Sequence, residues 1–161
     1  MTDNDLLQEY LTLRNSVAAA QLATISPQST PFASHAPIVW KDGSFYLFLS
    51  ELSEHTQHLL QNPAIGLVLL QTEPAGNHFA SQRITFQGRA EIVARDSERF
   101  ATIIEAFHQK FGQVMLVIEP LTDFHLFQLN LDAGRYIRGF GQAYLIEGEN
   151  FDQLTHINPA K

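Results

Sequence analysis

The chain changes between strand-like and turn-like segments so often that it leaves little room for long helices. In its clearest strand, Ser81–Ala94, Ile84, Phe86 and Gly88 alternate with polar residues, which is the period of a strand with one buried face. A doubly wound parallel sheet would need a helix after every strand, and this chain does not follow that order. The sequence therefore predicts a mainly β protein, with about six or seven strands in a closed or partly closed antiparallel barrel and short helices at its periphery.

Cap and turn residues set the bounds of the predicted elements. Asp42-Gly43 has the composition of a two-residue hairpin, Asn62-Pro63 ends a helix, and Gly112 is a helix C-cap. We expect one domain over residues 1–161, with an N-terminal helix and a C-terminal tail. The predicted strands are 17–26, 31–41, 45–49, 64–70, 81–94, 124–130 and 134–146, and the predicted helices are 3–16, 51–62 and 97–111.

Composition excludes several classes of function. The 161 residues carry a formal net charge of −7, which argues against non-specific nucleic-acid binding because phosphates need a basic face. The chain has no cysteine, so thiolate metal sites and cysteine nucleophiles are excluded. The N-terminus is acidic and no apolar run reaches the length of a membrane span, so we expect a cytoplasmic protein without membrane contact.

The low content of charged residues indicates a protein partner or a ligand rather than a nucleic acid. Only 17% of the residues are charged and 12 are phenylalanines, a composition that leaves apolar surface to be buried against a partner or a ligand. The strand Phe45–Leu49 is apolar on both faces, so it is buried in the chain or lies at an interface. We therefore expect a homodimer.

The sequence RYIRGFGQAY near the C-terminus is the densest run of unusual residues. Arg135 and Arg138 offer forked donors to a carboxylate or a phosphate. Gly139 and Gly141, on either side of Phe140, allow a positive φ or the close approach of a planar ligand. Two interpretations stay open here: a ligand contact, or a strand kinked at a barrel corner with solvated arginines.

A second set of candidate binding residues lies on the strand 81–94. Arg83 and Thr85, followed by Gln87 and Arg89, project from one face of this strand. The face is unusually rich in hydrogen-bond donors for a strand whose other face is apolar. A solvated strand face would show the same alternation, so the pattern alone does not decide between the two.

The segment from Ser50 to Pro63 joins a strand to a helix whose first turn bears hydroxyl groups. Ser50 and Ser53 lie where a helix N-terminus binds anions through free N–H groups, and an ordinary helix cap has the same composition. His55 and His58 are three residues apart on that helix and could share a metal, but no third ligand is near in the sequence.

Together these segments resemble the haem-utilisation proteins of the HugZ/HutZ type, a branch of the pyridoxamine 5′-phosphate oxidase-like superfamily of FMN-binding split barrels. The resemblance runs through nearly the whole chain in one order, and the segment Gly139–Tyr144 (GFGQAY) is its most specific part. The other matching segments are Ala23–Ser26, Ser34–Pro37, Ser50–Pro63, Arg83–Phe86, Asp96–Arg99, Phe111-Gly112 and Asp123–Phe127.

The resemblance implies a split β-barrel with peripheral helices and a homodimer whose ligand cleft lies between the subunits. Members of the haem branch bind haem there, and several degrade it oxidatively to release iron. We therefore expect a haem-binding protein of haem iron utilisation with haem oxygenase-like activity. The alternative that the wider fold implies is an FMN-binding oxidoreductase, and a third hypothesis is a carrier that has lost its ligand.

The resemblance also implies candidate site residues. By position, Arg83 and Ser50 match the places that hold the anionic part of the ligand, and Asp123 matches the acidic residue that supports the axial histidine in some relatives. That histidine lies near Lys161 in the register of the resemblance, so His156, on a tail expected to be mobile, is the candidate iron ligand. The predicted cofactor-binding residues are Ser50, Ser53, His55, Arg83, Thr85, Arg135, Arg138, Gly139, Phe140 and Gly141.

Overall fold

The computed structural model describes residues 2–71 and 78–157. In these ranges the chain forms a nine-stranded sheet and four α-helices, with a 3₁₀ turn at His78–Ala80. The helices are α1 (Asp3–Ser16), α2 (Glu54–Gln61), α3 (Glu98–Phe111) and α4 (Val114–Ile118). The strands are β1 (Ala19–Ile25), β2 (Pro31–Pro37), β3 (Val39–Lys41), β4 (Ser44–Ser50), β5 (Ala64–Leu70), β6 (Arg83–Ile92), β7 (Phe124–Gly139), β8 (Gln142–Glu147) and β9 (Gln153–His156).

Strand β7 organises the sheet. It is 16 residues long, and β6 pairs with it along one edge. Along the other edge, its first half pairs with β4 and its second half with β8. All pairings are antiparallel, and the main order is β2-β1-β5-β6-β7-β4-β3, with β9 added to β8. The sheet curls into a split barrel, so the prediction of a mainly β fold is confirmed.

A bulge lets β6 and β7 bend together. The register between the two strands shifts between Gln87 and Gly88. A Cβ on Gly88 would lie 2.2 Å from the carbonyl oxygen of Asn130, closer than any side chain can approach. Glycine at this position therefore allows the close backbone contact that the curled sheet needs.

Two hydrophobic cores lie on opposite faces of β4. Phe45, Leu47 and Leu49 belong to the larger core, which α1 covers. Tyr46 and Phe48 belong to a second core, which α3 covers. The strand that is apolar on both faces is thus buried inside one chain. Of the two predicted alternatives for this strand, burial within the chain is the one observed, and β4 therefore gives no support to the prediction of a homodimer.

Helix α1 has the predicted bounds and packs on the larger core. Thr2 and Asp5 form a capping box at its N-terminus. On its buried face, the hydroxyl of Tyr10 donates to the carbonyl of Phe151 at 2.9 Å, and burial raises the pKa of Tyr10 to about 12. The helix is thereby connected to the segment between β8 and β9.

Several parts of the chain differ from the prediction. The predicted strand 31–41 is divided at Ile38 into β2 and β3, and the predicted strand 134–146 is in fact the hairpin of β7 and β8. Helix α4 and strand β9 were not predicted. Between the predicted strands 64–70 and 81–94, residues 72–77 lie outside the described residues. None of the helices in the described ranges combines the length and the apolar character needed to cross a membrane.

Candidate functional site

The outer face of β6 carries the donor-rich side chains that the alternation predicted. The residues that alternate with Arg83 and Thr85 in this strand belong to the larger core, so these two side chains point to the other face. In the ladder with β7, Thr85 lies opposite Arg135. Three of the predicted binding residues thus share one face of the sheet.

One end of this face forms a pocket of about 420 Å³, named here the Arg83 pocket. Arg83 is the only charged side chain among its described lining residues, and most of the others are apolar or glycine. The pocket brings together four residues predicted from the sequence, namely Arg83, Gly139, Phe140 and Gly141. Its other described lining residues are Phe79, Ile137, Gln142, Ala143 and Ile157.

The hairpin between β7 and β8 presents an open backbone to this pocket. Gly141 has a φ of +72°, a conformation that favours glycine. Among the described residues, a Cβ on Gly139 would have no neighbour closer than the carbonyl oxygen of Ala80 at 3.9 Å, so their packing does not require glycine there. Phe140 is 88% exposed. The hairpin therefore offers accessible backbone and an aromatic ring to a flat ligand.

In the described part of the chain, most donors of the Arg83 guanidinium are available to a ligand. One nitrogen donates to the carbonyl of Ser81 at 3.3 Å. No carboxylate in the described part of the chain lies within ion-pair distance of it. A half-buried arginine beside apolar surface is suited to bind a carboxylate or a phosphate through paired hydrogen bonds.

Arg138 was predicted to face the ligand, but it points to the opposite side of the hairpin. Its Nε donates to both carboxylate oxygens of Glu9 in α1, at 3.1 and 2.9 Å, and its Nη1 donates to Gln142 at 2.8 Å. The hydrogen bond and the charge of Glu9 raise the pKa of Arg138. Arg138 lies two residues after Tyr136 in β7, so the two side chains point to the same face of the strand. Because Tyr136 belongs to the larger core, which α1 covers, Arg138 points toward α1 and not into the Arg83 pocket.

The rest of the outer face is an open groove of about 690 Å³, named here the sheet groove. It contains the predicted residues Thr85 and Arg135. The other described residues that line it are Gln21, Leu22, Ala23, Ala33, Gly66, Leu67, Val68, Phe86, Gln87, Gly134 and Leu145. Small and apolar residues from several strands therefore face outward together, which is typical of a surface that packs against another chain.

Ser50 and Asp123 meet at the other end of β7. The hydroxyl of Ser50 donates to Oδ2 of Asp123 at 2.7 Å and accepts from the amide of Leu52 at 3.1 Å. The amide of Glu51 donates to the carbonyl of Asp123 at 2.8 Å. The predicted anion-binding hydroxyl of Ser50 is thus engaged with a carboxylate, and a second anion beside Asp123 would be repelled.

The predicted residues at the start of α2 do not line the Arg83 pocket. Ser53 occupies the N-cap position without a side-chain capping hydrogen bond. His55 is buried, with its Nδ1 3.0 Å from Oγ of Ser34, and burial together with His58 lowers its pKa. His58 makes a similar contact with Thr24 at 3.0 Å. Both histidines therefore hold α2 against the sheet, and the described residues contain no cluster of metal ligands.

His156 lies at the end of β9, opposite Tyr144 of β8. The centroids of the two rings are 5.1 Å apart, and Tyr144 in turn stacks on Tyr136. Ala143, the neighbour of Tyr144, lines the Arg83 pocket on the other face. The tail that we expected to be mobile is thus a paired strand, which holds His156 on the face away from the pocket. The position near residue 161, where the resemblance places the axial histidine of the relatives, lies outside the described residues.

The predicted partnership of His156 and Asp123 does not form within one chain. Asp123 precedes β7, whereas His156 is connected through β8 to the last part of β7. From Phe124 to Ile137 the strand runs about 40 Å at ~3.3 Å per residue. The predicted residues therefore form two groups at opposite ends of β7, with Arg83, Gly139, Phe140, Gly141 and His156 at one end and Ser50, Ser53 and Asp123 at the other.

Five of the described pocket residues were not among the predicted site residues: Phe79, Ile137, Gln142, Ala143 and Ile157. Ile137 and Ala143 lie opposite each other in the β7–β8 hairpin, so recognition of that hairpin would have placed them beside Arg83. No sequence signal distinguishes Phe79 from the other phenylalanines of the chain.

Comparisons with known proteins agree on one family. The pyridoxamine 5′-phosphate oxidase family model matches residues 6–138. Over 150 residues the chain is 31% identical to the protein named Heme oxygenase HutZ of Vibrio cholerae, a match that covers 92% of this chain and 85% of HutZ.

Solved structures give the same result. The crystal structure of HutZ, described as the heme storage protein of Vibrio cholerae, superposes with a TM-score of 0.74 at 30% identity, over 82% of this chain and 92% of HutZ. The crystal structure of ChuZ from Campylobacter jejuni superposes with a TM-score of 0.86 at 31% identity, over 100% of this chain and 67% of ChuZ. The chain therefore belongs to the pyridoxamine 5′-phosphate oxidase-like family and, within it, to the HutZ-type haem-utilisation branch.

Proposed function

We propose that this protein binds haem through the Arg83 pocket and acts in haem iron utilisation by oxidative degradation of the bound haem. The observation that carries the proposal is the combination of one arginine with apolar and glycine walls in that pocket. The relatives support it, since HutZ is named as a heme oxygenase and its crystal structure is described as that of a heme storage protein.

The chemistry of the pocket fits the two parts of haem. The propionates are carboxylates, which a guanidinium such as that of Arg83 binds as a fork. The macrocycle is flat and apolar, so it can lie against Ile137 and Phe140 and close to the backbone of Gly139. A volume of about 420 Å³ is in the usual range for small-molecule sites. The pocket is open to solvent in one chain, so a second surface is needed to cover the other side of the macrocycle.

Bound haem would supply the redox chemistry, which needs electrons and dioxygen from outside the protein. The chain would orient the macrocycle through Arg83 and exclude water on one side through Phe140. The described residues that line the pocket include no histidine, so an imidazole for the haem iron would have to come from elsewhere. His156 stays our predicted ligand, with Asp123 as the predicted acceptor for its second ring nitrogen. Because β9 holds His156 on the face away from the pocket of its own chain, this role requires a rearrangement of β9 or a histidine from a second chain.

We also propose that a homodimer completes the site. Because His156 and Asp123 lie at opposite ends of β7, they can meet only when two chains place opposite ends of this strand side by side, as a two-fold axis does. The sheet groove offers surface for such a contact, since its small residues Ala23 and Gly66 allow a second sheet to approach closely. The haem would then lie between the two chains.

Titration of the purified protein with hemin, followed by absorbance, tests the proposal. We expect a saturable Soret band, and we expect Arg83→Ala to weaken binding by about 1.5–3 kcal/mol, the scale of a hydrogen bond to a charged group. Arg89→Ala is the matched control. Arg89 lies on the same face of β6, about 20 Å further along the strand and outside the pocket, so its loss should leave the affinity unchanged.

An unchanged hemin affinity in Arg83→Ala, with a parent-like circular dichroism spectrum, would refute the assignment of the pocket. Flavin absorption bands in the isolated protein, without uptake of hemin, would favour the FMN alternative, and the absence of both spectra would favour a carrier. Degradation is tested by adding a reductant in air. Loss of the Soret band together with iron captured by a chelator is the expected result.

A further inference from the structure

One carboxylate joins helix α1 to the two strands that carry residues of the Arg83 pocket. Glu9 lies in the middle of α1, and its Oε1 accepts hydrogen bonds from the side-chain amide of Gln82 and, at 3.2 Å, from the hydroxyl of Tyr136. Both of its oxygens accept from Nε of Arg138. Helix α1, the residue before β6 and the end of β7 thus meet at a single side chain.

Two partners of Glu9 are adjacent in sequence to residues that line the pocket. Gln82 precedes Arg83, so its hydrogen bond holds the backbone from which the arginine side chain departs. Arg138 precedes Gly139, and it also donates to Gln142, which lines the pocket from β8. The cation and the glycine hairpin of the pocket are therefore each adjacent in sequence to a partner of Glu9.

We propose that Glu9 is a positioning residue of the Arg83 pocket, and that through it α1 sets the separation between Arg83 and the Gly139–Gly141 hairpin. That the ligand is haem rests on the proposed function, whereas the link from Glu9 to the hairpin does not. The negative charge is essential to this role, because without it Arg138 loses its ion pair at 2.9 Å and the hairpin loses its tie to the helix.

The hydroxyl of Tyr136 adds to the same link. Its side chain is fully buried, and burial together with the charge of Glu9 raises its pKa. The phenol therefore stays protonated and donates to Glu9 throughout the physiological range of pH.

A purely structural role for Glu9 would be to attach α1 to the sheet. The helix has other attachments for that purpose. Tyr10 and Leu13 lie in the larger core, and the guanidinium of Arg14 stacks 4.1 Å from the ring centroid of Trp40. Loss of one carboxylate should therefore leave α1 in place, and the change should be confined to the pocket.

Glu9→Gln removes the charge and keeps the shape of the side chain. Asp3→Asn, which changes an exposed acid on the same helix, is the matched control. In the ligand-free protein, the backbone amides of residues 138–143 should exchange hydrogen faster in Glu9→Gln than in the parent. In a hemin titration, Glu9→Gln should bind about tenfold more weakly, the scale of one charge-assisted hydrogen bond. Asp3→Asn should match the parent in both measurements.

A charge exchange provides a second test. Glu9→Arg combined with Arg138→Glu should recover most of the affinity that either change alone removes, because the ion pair is restored in reverse. A double variant no better than the single ones, with its melting temperature intact, would overturn the proposal.

Other outcomes also decide the matter. Parent-like exchange and affinity in Glu9→Gln would overturn the proposal, and so would equal losses in Asp3→Asn. Faster exchange throughout α1, with a lower melting temperature, would assign Glu9 a structural role instead. If the parent itself does not bind hemin, the proposed function fails, while faster exchange confined to the hairpin would still support the role of Glu9.

Discussion

Substitution of Gly139 by alanine should weaken haem binding while leaving the fold unchanged. The added Cβ would have no neighbour closer than 3.9 Å in the described part of the chain, and Gly139 does not have a positive φ, so alanine fits there without strain. We expect the melting temperature to stay the same or to rise slightly, because alanine loses less conformational entropy on folding than glycine does. The methyl group would instead occupy space in the Arg83 pocket.

Gly134→Ala, on the same strand, is the matched control, because it should lower the stability of the fold and leave most of the hemin affinity. A Cβ at Gly134 would fall within van der Waals overlap of the ring of Phe86, 2.4 Å from its Cε1 atom. Phe86 belongs to the larger core and has little room to move. Overpacking of this kind costs about 1–3 kcal/mol, which lowers the melting temperature of a protein of this size by roughly 2–12 °C.

Thermal unfolding without ligand and hemin titration separate the two glycines. We expect Gly139→Ala to lose about tenfold in hemin affinity, since a methyl group forced into a packed contact costs on the order of 1–3 kcal/mol. Gly134→Ala should lose stability, and its folded fraction should keep most of its affinity. Unchanged hemin affinity in Gly139→Ala would refute the reasoning that the open space at this glycine serves a ligand, and so would a fall in melting temperature equal to that of Gly134→Ala.

Two further predictions concern the dimer and the tail. Val68→Asp, in the sheet groove, should give a monomer in light scattering at micromolar concentration, because an unpaired carboxylate is costly at an interface. Ile92→Asp, an exposed residue of β6 outside the groove, is the control, and a monomeric parent or a persistent Val68→Asp dimer would contradict the proposal. His156→Ala should shift the Soret band and weaken hemin binding, and Asp123→Ala should shift the spectrum less. A spectrum and affinity equal to those of the parent would remove His156 as the axial ligand.

The parts of the fold that the sequence predicted correctly depend on local chemistry. Ser97 caps α3 by accepting from the amide of Phe100 at 3.1 Å, and Gly112 ends that helix with a φ of +68°. Asp42 and Gly43 both have positive φ in the turn between β3 and β4. Each of these signals acts within a few residues, so it can be recognised without knowledge of the fold.

Elements that depend on distant partners were not predicted. The run VMLVI of α4 is rich in residues that favour strands, yet it is helical because Met115 packs into the core beneath α3. Arg95 holds the segment after it by donating to the carbonyls of Glu119, Leu121 and Phe124, each at 2.8 Å. Strand β9 likewise exists only because β8 offers it an edge.

The same distinction applies to the candidate site. Arg83 and the Gly139–Gly141 hairpin, which the structure brings together in one pocket, could be chosen as candidate binding residues because alternation and glycine content are visible in short segments. The sequence could not show that Arg138 and His55 do not line this pocket, because the groups that engage them are remote in sequence. Glu9 precedes Arg138 by 129 residues, and Ser34 lies 21 residues before His55. Only the pairing of β6, β7 and β8 around α1 decides which arginine faces a ligand.

The separation of the predicted residues between the two ends of β7 predicts that haem binding depends on the formation of a dimer. In one chain, Arg83 and the glycine hairpin lie at one end of β7, and Ser50 and Asp123 lie at the other end. Neither end alone therefore has both the predicted anion-binding arginine and the predicted carboxylate partner of an iron-binding histidine. If two chains complete each site, haem binds the dimer more tightly than the monomer. Because such coupling is reciprocal, haem must then stabilise the dimer by the same factor. The Val68→Asp monomer should accordingly bind hemin more weakly than the parent, although Val68 lies outside the Arg83 pocket. Equal affinity in the two forms would show that one chain holds haem by itself.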